Sequence, residues 1–312
     1  MTASSPQVWL PAQFTHLADL PPDLNYARWD GRSAFPSDPA AVEFYAPPLT
    51  KDIDVISKPL AGMTRLRAVQ ALSSGTDELR VELDRLQRPV TLCDARGVPA
   101  RSTAELALTL ILASLRGIPE SLSAQERGLW SPRTYQTLYE RSVLIVGYGA
   151  VGSALEELLA PFGCVVIRVA SHDRNSGRGP VHSVARLPRL VTDADIVVLS
   201  TPLTPKTRQL FDAGLLARMK DGALLVNVSR GAVVDTDALL KETHGGRLRA
   251  ALDVTDPEPL PSGHPLWATP GVLITPHIGA FTPSLWPRLE ALIRRQLTRF
   301  AAGEELENIV PR

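Results

Sequence analysis

From Ser142 to Ile274 the chain repeats one pattern: a short β-branched run, a stretch long enough to cross back over a sheet, then the next run. The runs fall at residues 143–146, 165–169, 196–199, 224–228, 248–252 and 272–274. Each is apolar at nearly every position, which suits strands covered on both faces. Strands linked by such crossovers lie parallel, because tight turns join only antiparallel neighbours. The six runs therefore predict an α/β fold with a doubly wound parallel sheet.

The first run leads into Gly147-Tyr148-Gly149-Ala150-Val151-Gly152, a G-x-G-x-x-G between a predicted strand and a predicted helix that runs to Pro161, with Gly163 as its stop. The first glycine allows a tight turn, the second lets the backbone approach a pyrophosphate, and the third permits close helix–strand packing. The helix N-terminus stabilises the negative charge. Taken without its context the motif is only a strand–turn–helix with permissive glycines. With a strand on either side, all six residues are assigned to dinucleotide binding.

Which dinucleotide depends on the end of the second strand. An NAD site usually carries an acid ~20 residues beyond the motif, bonded to the ribose 2′-hydroxyl. Here the chain reads Val169-Ala170-Ser171-His172-Asp173-Arg174, and Ala170 stands where the carboxylate is expected. Loss of that charge, with Ser171, His172 and Arg174 beside it, suits a 2′-phosphate, so NADP is favoured. NAD remains the alternative, with Asp173 as the ribose acid if the strand runs one or two residues further.

Ligands of an open α/β sheet bind beyond the carboxyl ends of its strands. The third strand is followed by Ser200-Thr201-Pro202, the fourth by Asn227-Val-Ser229-Arg230-Gly231, the fifth by Asp253 and the sixth by Thr275-Pro276-His277-Ile-Gly279. Arg230 can grip a carboxylate bidentately and polarise an adjacent carbonyl. His277 can act as acid and base near neutral pH. Glu258 lies in the proline-braced run Asp256-Pro-Glu258-Pro259-Leu-Pro, where a carboxylate is aimed at little ordering cost; paired with His277 it would fix the ring's tautomer. Singly, these are an exposed loop arginine, a core histidine and a surface glutamate. As a set they describe a hydride-carrier site with a carboxylate grip, a proton donor and an orienting acid. Asp253 is expected at the nicotinamide end or as a structural cap, with Thr201, Pro202, Ser229 and Gly279 along the cofactor channel. No metal is expected.

The first hundred residues differ in texture. Candidate strands at 8–10, 42–45, 66–72 and 90–93 are separated by proline-rich joints, which reads as a small α/β unit. Ser102-Thr-Ala-Glu105 then has the spacing of a capping box at the start of an apolar helix through Leu115, and such a helix needs cover on all sides. A second helix is expected from Pro287 to Ala302, returning to the first domain. With 312 residues and roughly 100–200 residues per domain, two domains are expected: a discontinuous one of residues 1–100 and 282–312, and another of residues 101–281. Lys plus Arg (33) balance Asp plus Glu (33), so no long-range field draws the chain to nucleic acid or an acidic membrane. The two cysteines, Cys93 and Cys164, make no disulfide framework, and no apolar stretch has the length of a membrane span. These features lead to the expectation of a cytoplasmic protein with a small-molecule partner.

At these residues the sequence resembles the D-isomer-specific 2-hydroxyacid dehydrogenase family over nearly its whole length. Gly147-Tyr-Gly149-Ala-Val-Gly152 resembles that family's cofactor loop, Asn227-Val-Ser-Arg230-Gly231-Ala-Val-Val-Asp235 its arginine segment, Leu252-Asp253-Val254 with Glu258-Pro259-Leu260 its acidic segment, and Thr275-Pro276-His277-Ile-Gly279 its histidine segment. Leu72-Ser73-Ser74-Gly75-Thr76 matches the loop whose backbone N–H groups hold the substrate carboxylate. The resemblance implies two Rossmann-like domains, a nucleotide domain inserted into a smaller flavodoxin-like substrate domain, and a homodimer formed through the nucleotide domains. It implies Arg230, Glu258 and His277 as the catalytic set, with Ser74, Gly75, Thr76, Arg230 and His277 on the substrate.

The expected reaction moves hydride between NADPH and a small 2-oxo acid or D-2-hydroxy acid, such as glyoxylate or hydroxypyruvate. Ala170 departs from the aspartate of NAD-dependent members. Relatives that oxidise formate carry glutamine beside the histidine, so Glu258 argues against formate. Phosphite oxidation shares the glutamate and stays open, as does an NADP-sensing regulatory protein with vestigial catalytic residues.

Overall fold

The computed structural model describes residues 5–15, 17–50 and 52–311. The chain divides into two compact units, Met1–Pro99 with Pro283–Arg312, and Ala100–Thr282. The strands are β1 (Gln7–Pro11), β2 (Asn25–Trp29), β3 (Val42–Tyr45), β4 (Ala68–Gln70), β5 (Thr91–Cys93), β6 (Ser142–Val146), β7 (Val165–Ala170), β8 (Arg174–Ser176), β9 (Gly179–Ser183), β10 (Ile196–Leu199), β11 (Leu224–Asn227), β12 (Arg249–Leu252) and β13 (Val272–Ile274). The helices are α1 (Ile53–Ser57), α2 (Asp77–Asp84), α3 (Ala100–Leu115), α4 (Ile118–Glu126), α5 (Ala150–Leu159), α6 (Leu187–Leu190), α7 (Ala213–Leu216), α8 (Thr236–His244) and α9 (Leu285–Ala302).

In the first unit the sheet order is β2-β1-β3-β4-β5 with every pair parallel, the flavodoxin-like arrangement. Successive side chains point to opposite faces. Val8, Leu10 and Phe44 therefore meet Leu289, Leu292, Ile293 and Leu297 of α9 on one side. Trp9, Tyr45, Val69 and Leu92 meet Leu79 and Leu83 of α2 on the other.

The second unit is built the same way on a larger scale, in the order β13-β12-β11-β10-β6-β7-β9-β8. Leu144, Val146, Val197, Leu199 and Leu225 face Leu187 of α6, Leu215 and Leu216 of α7 and Leu239 of α8. Val143, Ile145, Ile196, Val198 and Val226 face Ala107, Leu110 and Ile111 of α3 and Leu155 and Leu159 of α5. Fully burying one such aliphatic side chain contributes ~1.5–3 kcal/mol, so the continuous apolar runs are what this two-faced sheet requires. The order reverses at β6, with β7 on one side and β10 on the other, which makes the end of β6 the switch point.

Three sequence expectations need correction. The large sheet has eight strands rather than six, because β9 pairs parallel with β7 and β8 pairs antiparallel with β9. Arg174, which falls outside every predicted strand, is the first residue of β8. Ser102 does not cap α3: the helix starts at Ala100, directly after Pro99, and Ser102 is buried inside its first turns. Proline favours the entry to a helix, so the true start lies ahead of the S-x-x-E spacing. The edge strand β2 went unread because only Trp29 of its five residues is buried. Gly163, by contrast, does end the segment after α5, with φ +62. Among the described residues no single helix is long and apolar enough to cross a membrane.

Candidate active site

The hydrogen-bond ladder of the large sheet runs one step past its strands. Gly147 N–H donates to Val169 O (2.9 Å), Ser200 N–H to Val146 O (2.8 Å), Val228 N–H to Leu199 O (3.1 Å), Asp253 N–H to Asn227 O (2.9 Å) and Thr275 N–H to Leu252 O (2.9 Å). The turns that carry the sequence-assigned residues thus begin level with one another, at the ligand-binding end of the sheet.

At the switch point Gly147 has φ +99, and a Cβ there would stand 2.5 Å from both Ser200 C and Thr201 N. Gly152 lets α5 approach β6, since a Cβ would lie 2.9 Å from Ile145 Cγ2. Gly149 faces outward, with no neighbouring atom nearer than Gly147 O at 4.0 Å. It is the N-cap of α5 and no side chain caps that helix. Exposed N–H groups at a helix start, beneath a glycine that leaves room, fit the pyrophosphate of a dinucleotide. Ala150 and Val151 form the first turn above it. Alongside, Thr201 is buried. The Thr207 hydroxyl donates to Pro202 O (2.6 Å) and accepts from Thr204 N–H (2.7 Å), which braces the following loop.

Beyond β7, Ser171 and His172 bond to each other (3.0 Å) at the surface. The Asp173 carboxylate accepts from Ser183 N–H (3.1 Å) and pairs with Arg186 (3.4 Å), so it is engaged by the turn after β9. The Arg174 guanidinium donates to Tyr148 O at 2.5 Å, inside the glycine motif. The second strand therefore ends with its acid turned to other partners and a cation laid against the cofactor loop.

Arg230 and Glu258 follow the neighbouring strands β11 and β12, and His277 follows β13. Asn227, 1% exposed, organises the first turn. Its Oδ1 accepts from Ser229 N–H (3.0 Å) and the Ser229 hydroxyl (2.8 Å), while its Nδ2 donates to Arg230 O (2.9 Å). The Arg230 guanidinium donates to Ser229 O (2.7 Å). A Cβ on Gly231 would stand 1.9 Å from Thr255 O, so only glycine lets the arginine turn seat against the segment leading to Glu258.

Asp253, 3% exposed, turns out to organise the histidine segment. Oδ1 accepts from the Thr275 hydroxyl (2.6 Å) and from Ile278 N–H (2.9 Å), and Oδ2 accepts from Gly279 N–H (3.0 Å). Between these donors His277 adopts φ +57, the left-handed region that L residues rarely enter. Its Nδ1 lies 2.6 Å from Glu258 Oε1. With Nδ1 taken by the carboxylate, proton exchange with a ligand falls to Nε2.

Ser74, Gly75 and Thr76 belong to the first unit, where the Ser73 hydroxyl donates to Gly75 O (2.6 Å) and Thr76 precedes α2. Sequence reasoning missed Asn227 as an organiser, although an asparagine ending an apolar strand is a visible signal. It also missed Glu156 and Arg168, which lie beneath the cofactor loop. Their signal is charge inside otherwise apolar elements.

Residues 108–279 match the family described as D-isomer specific 2-hydroxyacid dehydrogenase, NAD binding domain. The glyoxylate reductase/hydroxypyruvate reductase of Mus musculus is 32% identical over 256 residues, 79% of this chain and 77% of that protein. The glyoxylate reductase of Aeropyrum pernix is 34% identical over 276 residues, 84% of this chain and 80% of that protein. A crystal structure of a D-isomer specific 2-hydroxyacid dehydrogenase from Xanthobacter autotrophicus Py2, in complex with NADPH and MES, is 30% identical, covers 99% of this chain and 98% of its own, and superposes with a TM-score of 0.82. Motifs, fold and relatives agree, and the chain belongs to the D-isomer-specific 2-hydroxyacid dehydrogenase family, NAD(P)-dependent oxidoreductases.

Proposed function

We propose that this dehydrogenase interconverts a small 2-oxo acid, glyoxylate or hydroxypyruvate, and the D-2-hydroxy acid, with NADPH as its preferred coenzyme. The observation that carries the reading is the 2.6 Å contact of His277 Nδ1 with Glu258 Oε1, on the turns after β13 and β12, beside the turn of Arg230 after β11. The coenzyme supplies or accepts hydride when bound. Arg230 grips the substrate carboxylate and stabilises charge on the carbonyl oxygen, which orients the reacting carbon. His277 Nε2 gives its proton to that oxygen in reduction and takes it back in oxidation, while Glu258 holds the ring's orientation. Because reduction consumes a proton, raising the pH favours oxidation. Ser74, Gly75 and Thr76 are assigned to substrate binding on their motif alone. Asp253 and Gly279 serve the nicotinamide end through the shape of the histidine turn. Gly147 to Gly152, Thr201, Pro202 and Ser229 line the cofactor path, and Ser171, His172 and Arg174 serve the 2′-phosphate. The names of the mouse and Aeropyrum relatives support the substrate class, and the NADPH of the Xanthobacter structure supports the coenzyme.

A homodimer formed by the Ala100–Thr282 unit is part of the same proposal. Ile118 is 46% exposed, Leu122 55%, Leu129 54% and Trp130 97%, an apolar stretch that a second copy would cover. Light scattering on the purified protein tests it. A cytoplasmic location accords with free cysteines at Cys93 and Cys164.

The deciding experiment compares steady-state rates for glyoxylate, hydroxypyruvate, pyruvate, an aromatic 2-oxo acid and phosphite, each with NADPH and NADH. The highest efficiency is expected for the two small 2-oxo acids with NADPH. Turnover confined to phosphite would overturn the substrate, equal efficiency with NADH would overturn the coenzyme, and tight nucleotide binding without any turnover would leave a regulatory protein.

A further inference from the structure

Beneath the cofactor loop lies a charged cluster that the reaction does not use. Glu156 of α5 is 8% exposed. Its carboxylate is gripped by Arg168 of β7, with Nε donating to Oε2 at 2.9 Å and a second guanidinium N–H donating to Oε1. The Tyr148 hydroxyl donates to the same carboxylate, and the Arg168 guanidinium sits 5.7 Å from the Tyr148 ring centroid. Replacing a buried ion pair by apolar residues is often neutral or stabilising, so core stability alone does not account for this one. Its connections point outward instead. A Cβ on Gly179 would stand 3.3 Å from Arg168 Nη1, so the hairpin of β8 and β9 closes over the guanidinium. Arg178 in the same hairpin pairs with Glu157 of α5 (2.7 Å). The hairpin's first residue is Arg174, whose guanidinium holds Tyr148 O. Burial works to raise the Glu156 carboxyl, but the hydrogen bonds from Arg168 and Tyr148 outweigh it and hold the group below its usual range. The brace is thus charged across the neutral range.

We propose that Glu156 and Arg168 are positioning residues for coenzyme selection: through the Tyr148 hydroxyl and the β8–β9 hairpin they hold the Tyr148 carbonyl and the Arg174 guanidinium in one arrangement, so that the 2′-phosphate of NADPH meets a cation already in place. An untethered arginine loses rotamer entropy when it binds. A tethered one has lost most of it on folding, which is how preorganisation raises affinity. The proposal rests on the NADPH reading above.

The test is equilibrium binding of NADP⁺ and NAD⁺ by calorimetry to the wild type, Glu156→Gln, Tyr148→Phe, Arg174→Ala and the double variant Glu156→Gln/Arg174→Ala. Glu156→Gln and Tyr148→Phe are expected to weaken NADP⁺ about tenfold, equivalent to ~1.4 kcal/mol, with NAD⁺ changed less than about twofold. In the Arg174→Ala background, Glu156→Gln should weaken NADP⁺ no further, because the brace acts through that guanidinium. Tyr148→Phe removes one hydroxyl and keeps both the ring and the ion pair, so it reports even if Glu156→Gln fails to fold. Equal weakening of both coenzymes, or the same loss with Arg174 absent, overturns the proposal. A wild type that binds NAD⁺ as tightly as NADP⁺ overturns the NADPH reading itself. A wild-type preference for NADP⁺ that survives both Glu156→Gln and Tyr148→Phe overturns the brace alone.

Discussion

Asp253→Asn is the sharpest perturbation of the histidine turn. The Asp253 carboxylate is buried and accepts the Thr275 hydroxyl, Ile278 N–H and Gly279 N–H. Alanine would strand all three donors. Two stranded backbone N–H groups alone cost ~2–6 kcal/mol, against a whole-protein stability of about 5–15 kcal/mol, so that variant confuses folding with function. Asparagine keeps an oxygen for Thr275 and Ile278 but turns an amide N–H₂ toward Gly279 N–H, which loses one bond to a charged acceptor, ~1.5–3 kcal/mol. The turn also holds His277 at φ +57, a left-handed backbone that costs a non-glycine residue roughly 1–2 kcal/mol. A turn short of one bond relaxes that strain first, and the imidazole leaves its orientation toward Glu258. At one factor of ten per ~1.4 kcal/mol, kcat for glyoxylate reduction should fall about 10–150-fold. Thr275→Val, which removes one hydroxyl donor and leaves both backbone bonds, should cost only a few-fold. The measurements are kcat, NADPH affinity by fluorescence quenching, and Tm. A variant with lowered Tm but kcat within about twofold of the wild type would show that Asp253 stabilises the turn without placing the histidine.

His277→Asn should lower kcat by roughly 10²–10⁴-fold, the usual worth of a general acid, while calorimetry finds NADPH affinity kept; intact turnover would remove His277 from the chemistry. Gly231→Ala forces a methyl into Thr255 O, at 1.9 Å in the present backbone. It should abolish turnover or folding, read by kcat and circular dichroism, and a fully active variant would refute the tight seating of the arginine turn. Burial works against the Asp195 carboxylate, but Lys220 at 2.7 Å and the Ser142 N–H and hydroxyl hold its pKa below the ordinary 3.8. A carboxyl with a depressed folded pKa stabilises the fold above its unfolded value and loses that contribution as pH falls through the folded one. The Tm deficit of Asp195→Asn should therefore be full near pH 7 and shrink below about pH 4; a deficit independent of pH would show that the charge is not what matters.

The large sheet was legible because its strands are buried on both faces, so each appears as an unbroken apolar run and the links between them are long. The strands that escaped notice lack that signature. β2 buries one side chain of five, and β8 and β9 read as Arg-Asn-Ser and Gly-Pro-Val-His-Ser, with Val181 the one fully buried apolar residue. Such segments become strands because an exposed sheet edge supplies unpaired backbone groups, and the neighbour that supplies them is not encoded in their own sequence. The first turn of α3 shows the complementary error, in which a short local pattern, Ser102 to Glu105, was outweighed by the proline ahead of it.

The same distinction separates the site residues that could be read from those that could not. Arg230, Glu258 and His277 announce themselves because each carries chemistry and follows a recognisable strand. Asp253 shares that placement, yet its work is done through three donors from residues 275 to 279, brought to it only by the pairing of β12 with β13. Glu156 and Arg168 meet because α5 lies against β7's side of the switch point, a contact that neither segment specifies alone. Sequence thus exposes the groups proposed to react, while the groups proposed to aim them emerge only when the sheet sets distant turns side by side. On the proposed reading the second kind decides the outcome: the His277 imidazole serves only while Asp253 holds its turn, and the Arg174 guanidinium only while Glu156 and Arg168 brace Tyr148, whose carbonyl it holds.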